Sequence, residues 1–495
     1  MKSKLKTLTL SLLAIGMGTT ALVHAESHPS STPSSAEITS LKHLDSLKTF
    51  ENISQLKTPT VQEFKTQSGT RVLFVEAPEL PIVDVQLVFD AGSARDSELK
   101  SGQYGLASMT AQLLDEGTST QTTDQISATF ERLGAQFGAA AYRDMFTVNL
   151  RTLSDSNLLN PAIDQLLSIL KDANVPQTSY DRIMQQNRVG LAAQKESPSI
   201  TANIHFMQEL YDKHPYAQPS SGTLASIELI KPVDIRNFKD TYLVAKNLNI
   251  AIVGQMSLGQ AKVVAERITQ SLPQGQHART LPKPDATAAR TVYEPFDSTQ
   301  THIRIGQIGI TRDNPDLPAL TLSNEVFGGG GFGAILMKEL REKRGLTYGV
   351  TSGFSAMQSK GPFKISYSTR TDQMDESLRI AKQALRDYVQ KDVPLDTFNE
   401  AKTGVLNSYP LSLSSNSNIA STLASMGFYG LANSYMADYP KQIEAVTPEA
   451  AHQAFVRYVN PDNMLILVVG KEKPKADGDA SSQSVKQVST ATPAQ

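Results

Sequence analysis

The residues best equipped for chemistry lie in one run, GGGGFGAILMKELREKRGLTYGV, from Gly328 to Val350. Within it, AILMKELREKR has helical spacing, with Ile335, Leu336 and Leu340 on one side. Lys343 and Arg344 fall in the last turn, where the helix dipole favours cations, and Gly345 suits the residue just past the helix end. Arg341 on this helix and Tyr348, expected to open a strand after it, can converge across the junction. A guanidinium fork and a phenol are donors suited to a peptide carbonyl or a developing oxyanion. Composition alone favours a plainer reading, a helix cap and a buried tyrosine. Gly329, Gly330 and Gly331 also leave two readings open. They make a flexible connection, or a substrate-facing loop whose N–H groups no Cβ covers. No GK[ST] follows them, which argues against a phosphate cradle.

Other catalytic constellations are missing. Beyond the first 25 residues no two histidines stand at i, i+4, and HxxEH, which would set two imidazoles and a catalytic Glu on one helical face, occurs nowhere. His205 has Glu209 one turn on but no third ligand nearby, and His214 sits in the loop HPYAQPSSGT; structural packing is the favoured reading of both. There is no GxSxG elbow. The absence of Cys excludes thiolate zinc sites, disulfides and cysteine nucleophiles.

The elements that must position these residues follow from the chain's length and patterning. Its 495 residues, 40% hydrophobic and 19% charged, suit a globular protein of two to four domains. With 47 basic and 49 acidic residues it shows no basic excess, which sets nucleic-acid binding aside. Lys2, Lys4 and Lys6, an apolar stretch from Leu8 to Val23 and the small-residue end Val23-His24-Ala25 read as a signal peptide over 1–25. Its removal takes three Lys and no acid, leaving 44 basic against 49 acidic residues. An uncleaved anchor is the rival reading. The mature chain is expected to be exported, periplasmic in a Gram-negative cell, with no membrane span.

Residues 26–55 form a Ser/Thr/Pro-rich spacer and 473–495 a tail unable to build a core. Between them VDVQLVFDAGS (83–93) and LNIAIVGQM (248–256) read as strands, and 155–173 as an amphipathic helix. The chain also repeats itself. Arg95-Asp96 matches Arg312-Asp313, NVPQTSYDRI (174–183) matches DVPLDTFNEA (392–401), and NLNIAIVG (247–254) matches NMLILVVG (463–470). The expected fold is α+β: two homologous lobes, 56–275 and 296–472, each a mixed or antiparallel sheet with helices packed on it. A linker, 276–295, joins them in a clamshell.

At Arg341-Glu342-Lys343-Arg344-Gly345-Leu346-Thr347-Tyr348 the sequence resembles the insulinase/pitrilysin zinc metallopeptidase family, nearest its mitochondrial-processing-peptidase-like and bacterial two-lobed members. HPYAQPSSGTLASI (214–227) and ADYPKQIEAVTPEAAHQAF (437–455) extend the likeness over nearly the whole mature chain. Active family members read, in outline, GLAHFLEHMLFKGT in the first lobe; this chain reads GLASMTAQLLDEGT (105–118). Ser108 stands at the first His position, Ala111 at the catalytic Glu and Gln112 at the second His. A third ligand, a Glu, is expected within 186–191, which holds no carboxylate. Zinc takes imidazole, thiolate or carboxylate donors, so the resemblance implies no metal in this chain and no base to activate water.

In this family an Arg/Tyr pair of one second lobe helps bind substrate at zinc held by a first lobe, and some members divide these roles between two chains. The resemblance therefore implies a catalytically incomplete, zinc-less subunit. It would bind peptide and offer Arg341 and Tyr348 to the zinc site of an HxxEH-bearing paralogous partner. The alternative is a non-enzymatic binding or scaffold protein on the same fold, which need not keep both residues.

Overall fold

Two sheets form over residues 58–286 and 288–471, the part of the chain described in the computed structural model. The signal peptide, the 26–55 spacer and the 473–495 tail lie outside the described residues. The first sheet contains β1 (Gln62–Lys65), β2 (Arg71–Glu76), β3 (Ile82–Phe89), β4 (Gln136–Ala141), β5 (Phe146–Leu153) and β6 (Leu248–Gly254). Their order is β1-β2-β6-β3-β5-β4, and β2–β6 is the parallel pair. The second contains β7 (Arg290–Pro295), β8 (Gln300–Ile308), β9 (Val350–Phe354), β10 (Pro362–Arg370) and β11 (Leu465–Gly470). Its order is β7-β11-β8-β10-β9, with β7–β11 parallel. Matching the sheets strand for strand superposes β2-β6-β3-β5-β4 on β7-β11-β8-β10-β9 and leaves β1 over. Strand β3 ends at Phe89, before the expected boundary, because Ser93–Arg95 turns into a 3-10 helix. The 155–173 helix is present as Ser156–Asp172. Strand β7 begins at Arg290, so the second sheet takes its first strand from the segment expected as linker.

Strands β6 and β11 are almost continuous apolar runs, LNIAIVG and LILVVG, because helices bury both their faces. One covering helix of each sheet comes from the other half of the chain. Helix Pro198–Tyr211 places Phe206 and Leu210 against Leu465, Leu467 and Val469 of β11. Gly306 on β8 permits this approach, since a Cβ there would meet the Phe206 ring at 2.8 Å. Reciprocally, helix Asn416–Phe428 lays Ile419, Ala420 and Leu423 on Leu73, Val75, Ala251 and Val253 of the first sheet. The apolar faces exchanged this way contribute on the order of 1.5–3 kcal/mol per fully buried large side chain.

A buried polar knot closes the same junction. The Asp144 carboxylate accepts from Tyr216 Oη at 2.5 Å, Gln358 N at 2.8 Å and Tyr429 Oη at 3.3 Å, while Tyr216 Oη accepts from Ser359 N at 3.0 Å. Burial pushes the Asp144 carboxyl up, and the Tyr216 and Gln358 donors pull it back. No helix among the described residues is long and apolar enough to cross a membrane.

Candidate functional site

The helix that carries Ser108, Ala111 and Gln112 is Leu106–Leu113. Gly105 precedes it at φ 97°, a left-handed conformation that suits glycine. Its first N–H groups are satisfied from outside the helix. The buried Asp96 carboxylate accepts from Gly105 N at 2.7 Å and Ala107 N at 2.8 Å. Burial pushes the Asp96 carboxyl up to about 8, against those two N–H bonds and the charge of Arg143. Leu106, Ala107, Met109 and Leu113 anchor the helix in the first lobe's core.

At the ligand positions the geometry is intact and the chemistry is not. Ser108 and Gln112 lie one turn apart on one face, and Gln112 Nε2 donates to Ser108 Oγ at 3.2 Å. Ala111 is buried and offers a methyl group. The stretch 186–191 belongs to helix Gln177–Lys195, which packs on Leu106–Leu113. Arg188 in that stretch pairs with Glu228 at 2.6 Å, so the carboxylate there is already neutralised. Glu116, just beyond the first helix, is held by Arg182 at 2.5 Å. No group of three His, Cys, Asp or Glu able to hold a metal occurs among the described residues. A hydroxyl, a methyl and an amide do not fit zinc, and no step is assigned to one in this chain.

The second lobe presents the opposite case. Helix Ile335–Met337 continues as a π turn, Lys338–Glu342, and stops at Gly345 with φ 61°. Gly345 N donates to Arg341 O at 2.9 Å, the 5→1 bond of an αL end, and Leu346 N to Leu340 O at 2.8 Å, with Leu340 and Leu346 buried beneath it. Thr347 Oγ1 then donates to Ser368 O at 2.6 Å and ties the chain to β10. Tyr348 is thrown outward, 87% exposed. The sequence expectation is corrected on two points: Tyr348 precedes β9 by two residues, and it fills no core.

Arg341 and Tyr348 do converge, with the guanidinium carbon 5.0 Å from the centre of the phenol ring. Its other neighbour is Phe332, at 4.7 Å. Phe332 is 64% exposed and sits between Gly331 and Gly333; sequence reasoning missed it. The available signal was one aromatic residue set among glycines. Lys343 and Arg344 are both engaged by Glu339, at 2.6 and 2.7 Å. The Arg341 guanidinium has no hydrogen-bonding or ion-pairing partner among the described residues, its neighbours being the two rings.

The glycines have local reasons. A Cβ on Gly329 would meet Glu325 Oε1 at 2.7 Å, and one on Gly330 would meet Glu325 O at 2.8 Å. Gly331 has φ +69°. The Gly330 N–H is spent on Glu325 O at 3.0 Å. The glycines thus fold the chain tightly enough to return Phe332 over Arg341.

The two singled-out histidines are structural. His205 Nδ1 lies 3.5 Å from Glu294, and Glu209 pairs with Arg290 instead. His214 is buried, with Nδ1 accepting from Tyr216 N at 3.1 Å and Nε2 facing Pro282 O at 2.9 Å.

Comparison with known proteins identifies the family. Residues 71–224 match the family model described as insulinase (peptidase family M16), and 230–405 match that of the peptidase M16 inactive domain. A crystal structure of a peptidase M16 inactive domain from Pseudomonas fluorescens is 36% identical, with a TM-score of 0.80, covering 84% of this chain and 99% of that one. A protein named non-peptidase homolog YmxG from Helicobacter pylori is 23% identical over 414 residues, 82% of this chain and 93% of that protein. A protease structure from Helicobacter pylori, 17% identical with a TM-score of 0.74, shares the fold over 84% of this chain.

Proposed function

The chain belongs to the M16 insulinase peptidase family, on a fold of the inactive, non-peptidase kind, and we propose that it works as the zinc-less subunit of a two-chain peptidase. It binds a peptide and presents Arg341 and Tyr348 to the zinc site of an HxxEH-bearing paralogue. The carrying observation is the state of that pair. Tyr348 is almost wholly exposed, and Arg341 lies against it with no partner for its N–H groups. A residue kept only for packing would be covered, and a helix-capping arginine would be bonded to the last carbonyls. The place of action follows from the signal peptide: outside the cytoplasm, the periplasm in a Gram-negative cell.

The test is an assay of each chain alone and mixed, with a quenched fluorescent peptide. This chain alone should show no cleavage, and the mixture should exceed the paralogue alone. Tyr348→Phe keeps the ring and removes one donor. It should lower kcat/KM of the pair about 10²–10³-fold, the usual cost of an oxyanion-type donor. Equal activity of the paralogue with and without this chain overturns the proposal. It would favour a non-enzymatic scaffold, for which Tyr348→Phe is silent.

A further inference from the structure

We infer that Phe332 is the third member of the Arg341–Tyr348 site, and that the three together form a subsite for a carboxylate carried by the bound peptide. This rests on the reading that the segment faces a peptide, and it names the chemistry that the segment selects.

The guanidinium carbon lies over two rings, Phe332 at 4.7 Å and Tyr348 at 5.0 Å. Both rings are exposed, so neither stacks there to escape water into a core. Contact with two rings restricts the guanidinium and strips part of its weak hydration, leaving its N–H edge as the route to a ligand. That edge carries N–H donors in a fork, and one carbonyl oxygen uses the fork poorly. A carboxylate takes two parallel N–H bonds and neutralises the charge, which makes it the better match.

The neighbouring cations are engaged differently. The local helix provides two acids, Glu339 and Glu342, and Lys343 and Arg344 both bind Glu339, at 2.6 and 2.7 Å. Arg341, on the same turn, is left with aromatic neighbours. Delivering Phe332 needs the tight path of Gly329 and Gly330 beside Glu325 and the positive φ of Gly331. The glycine run therefore has a positive task, to place one phenyl ring on one arginine. Phe332 is a positioning residue: it orients Arg341 rather than bonding the carboxylate.

Two sources supply a carboxylate, the C-terminus of a peptide and an Asp or Glu side chain. The experiment separates them. Three fluorescein-labelled decapeptides of Ala, Ser and Leu are titrated against the full mature chain by fluorescence anisotropy: one with a free C-terminus, one amidated, one amidated with a central Glu. At least one acidic peptide should bind about three- to tenfold tighter than the neutral amide, and whichever does identifies the source. Arg341→Lys, which keeps charge and loses the fork, should remove that preference. Phe332→Leu keeps apolar bulk without a π face and should weaken acidic-peptide binding about two- to fivefold; Phe332→Tyr should restore it. A residue that merely filled space would be rescued by Leu as well.

Equal affinity for all three peptides, still reduced by Tyr348→Phe, overturns the carboxylate inference and leaves the peptide-binding reading standing. Equal behaviour of Phe332→Leu and Phe332→Tyr removes Phe332 from the site. Absence of binding by all three peptides counts against both this inference and the reading beneath it, and the two-chain cleavage assay then decides the latter by itself.

Discussion

Helix Leu106–Leu113 in the first lobe and the segment 328–348 in the second are both firmly anchored, by different means and to different ends. The first has a capped N-terminus, five core residues and a partner helix, yet its outward positions hold a serine and a glutamine bonded to each other. The second has a left-handed glycine end and a threonine tie to β10, and its outward positions hold an exposed tyrosine and an arginine whose guanidinium has only aromatic neighbours among the described residues. Packing constraints persist in both places. Reactive groups persist only in the second, where packing gives no reason for them. The comparison teaches that a retained scaffold says little about function, whereas a retained exposed donor pair says a good deal.

The comparison assumes that the lobes form one body, and the strongest way to break it is to loosen the exchanged helices. Phe206→Ala removes the ring that fills the space between Pro198–Tyr211 and the second sheet. A fully buried phenylalanine should cost about 3–5 kcal/mol. Urea unfolding followed by far-UV circular dichroism measures it. A loss below about 1 kcal/mol shows that the second sheet does not depend on the first lobe's helix.

A smaller effect sharpens the claim that the first lobe lacks donors rather than geometry. Ser108→His with Gln112→His puts two imidazoles at i, i+4 on the helix face where zinc sites of this kind are built. The double variant should gain zinc-dependent stability, about 2.7 kcal/mol at a zinc concentration one hundred times its dissociation constant. The unaltered chain should gain none and should carry no stoichiometric zinc by elemental analysis. If the double variant ignores zinc, the helix face has also lost the geometry.

Much of this was legible in the residues. Apolar runs gave β3 and β6, the internal repeat foretold two lobes with a sheet each, and the Arg341–Tyr348 convergence followed from helix spacing and Gly345. The exposure of Tyr348 was not legible, because it depends on Thr347 reaching Ser368, a contact 21 positions away. Phe332 was overlooked because a phenylalanine in a glycine loop has no fixed neighbour until the loop folds. The exchanged helices escaped for a related reason. An amphipathic stripe announces that a face is buried and is silent about which sheet buries it. The linker boundary failed for want of a strand signal, since RTVYEP alternates weakly on an edge.

The smallest expected effect concerns how the first lobe keeps its idle helix. Asp96 and Asp313 are counterparts in the internal repeat, yet Asp313 is exposed while Asp96 is buried beneath Gly105 and Ala107. Burial raises the Asp96 carboxyl from its ordinary range to about 8. A raised carboxyl means that the folded state holds a proton that the unfolded chain releases near pH 4. Between about pH 4 and pH 8 the native state binds more protons, so stability should fall as pH rises and level off above 8. Asp96→Asn stays neutral at every pH and lacks this slope. The melting temperature of the unaltered chain minus that of Asp96→Asn should therefore shrink steadily from pH 5 to pH 8, by a degree or so per pH unit. His214 and Asp144 titrate in both proteins and drop out of the difference. A difference that stays level from pH 5 to pH 8 and shrinks only on acidification below about pH 4 would mean that the two N–H bonds outweigh burial and hold Asp96 ionised. The helix would then be pinned by a charge at its N-terminus, where its dipole favours one, and the first lobe would keep one polar device of the kind the comparison denies it.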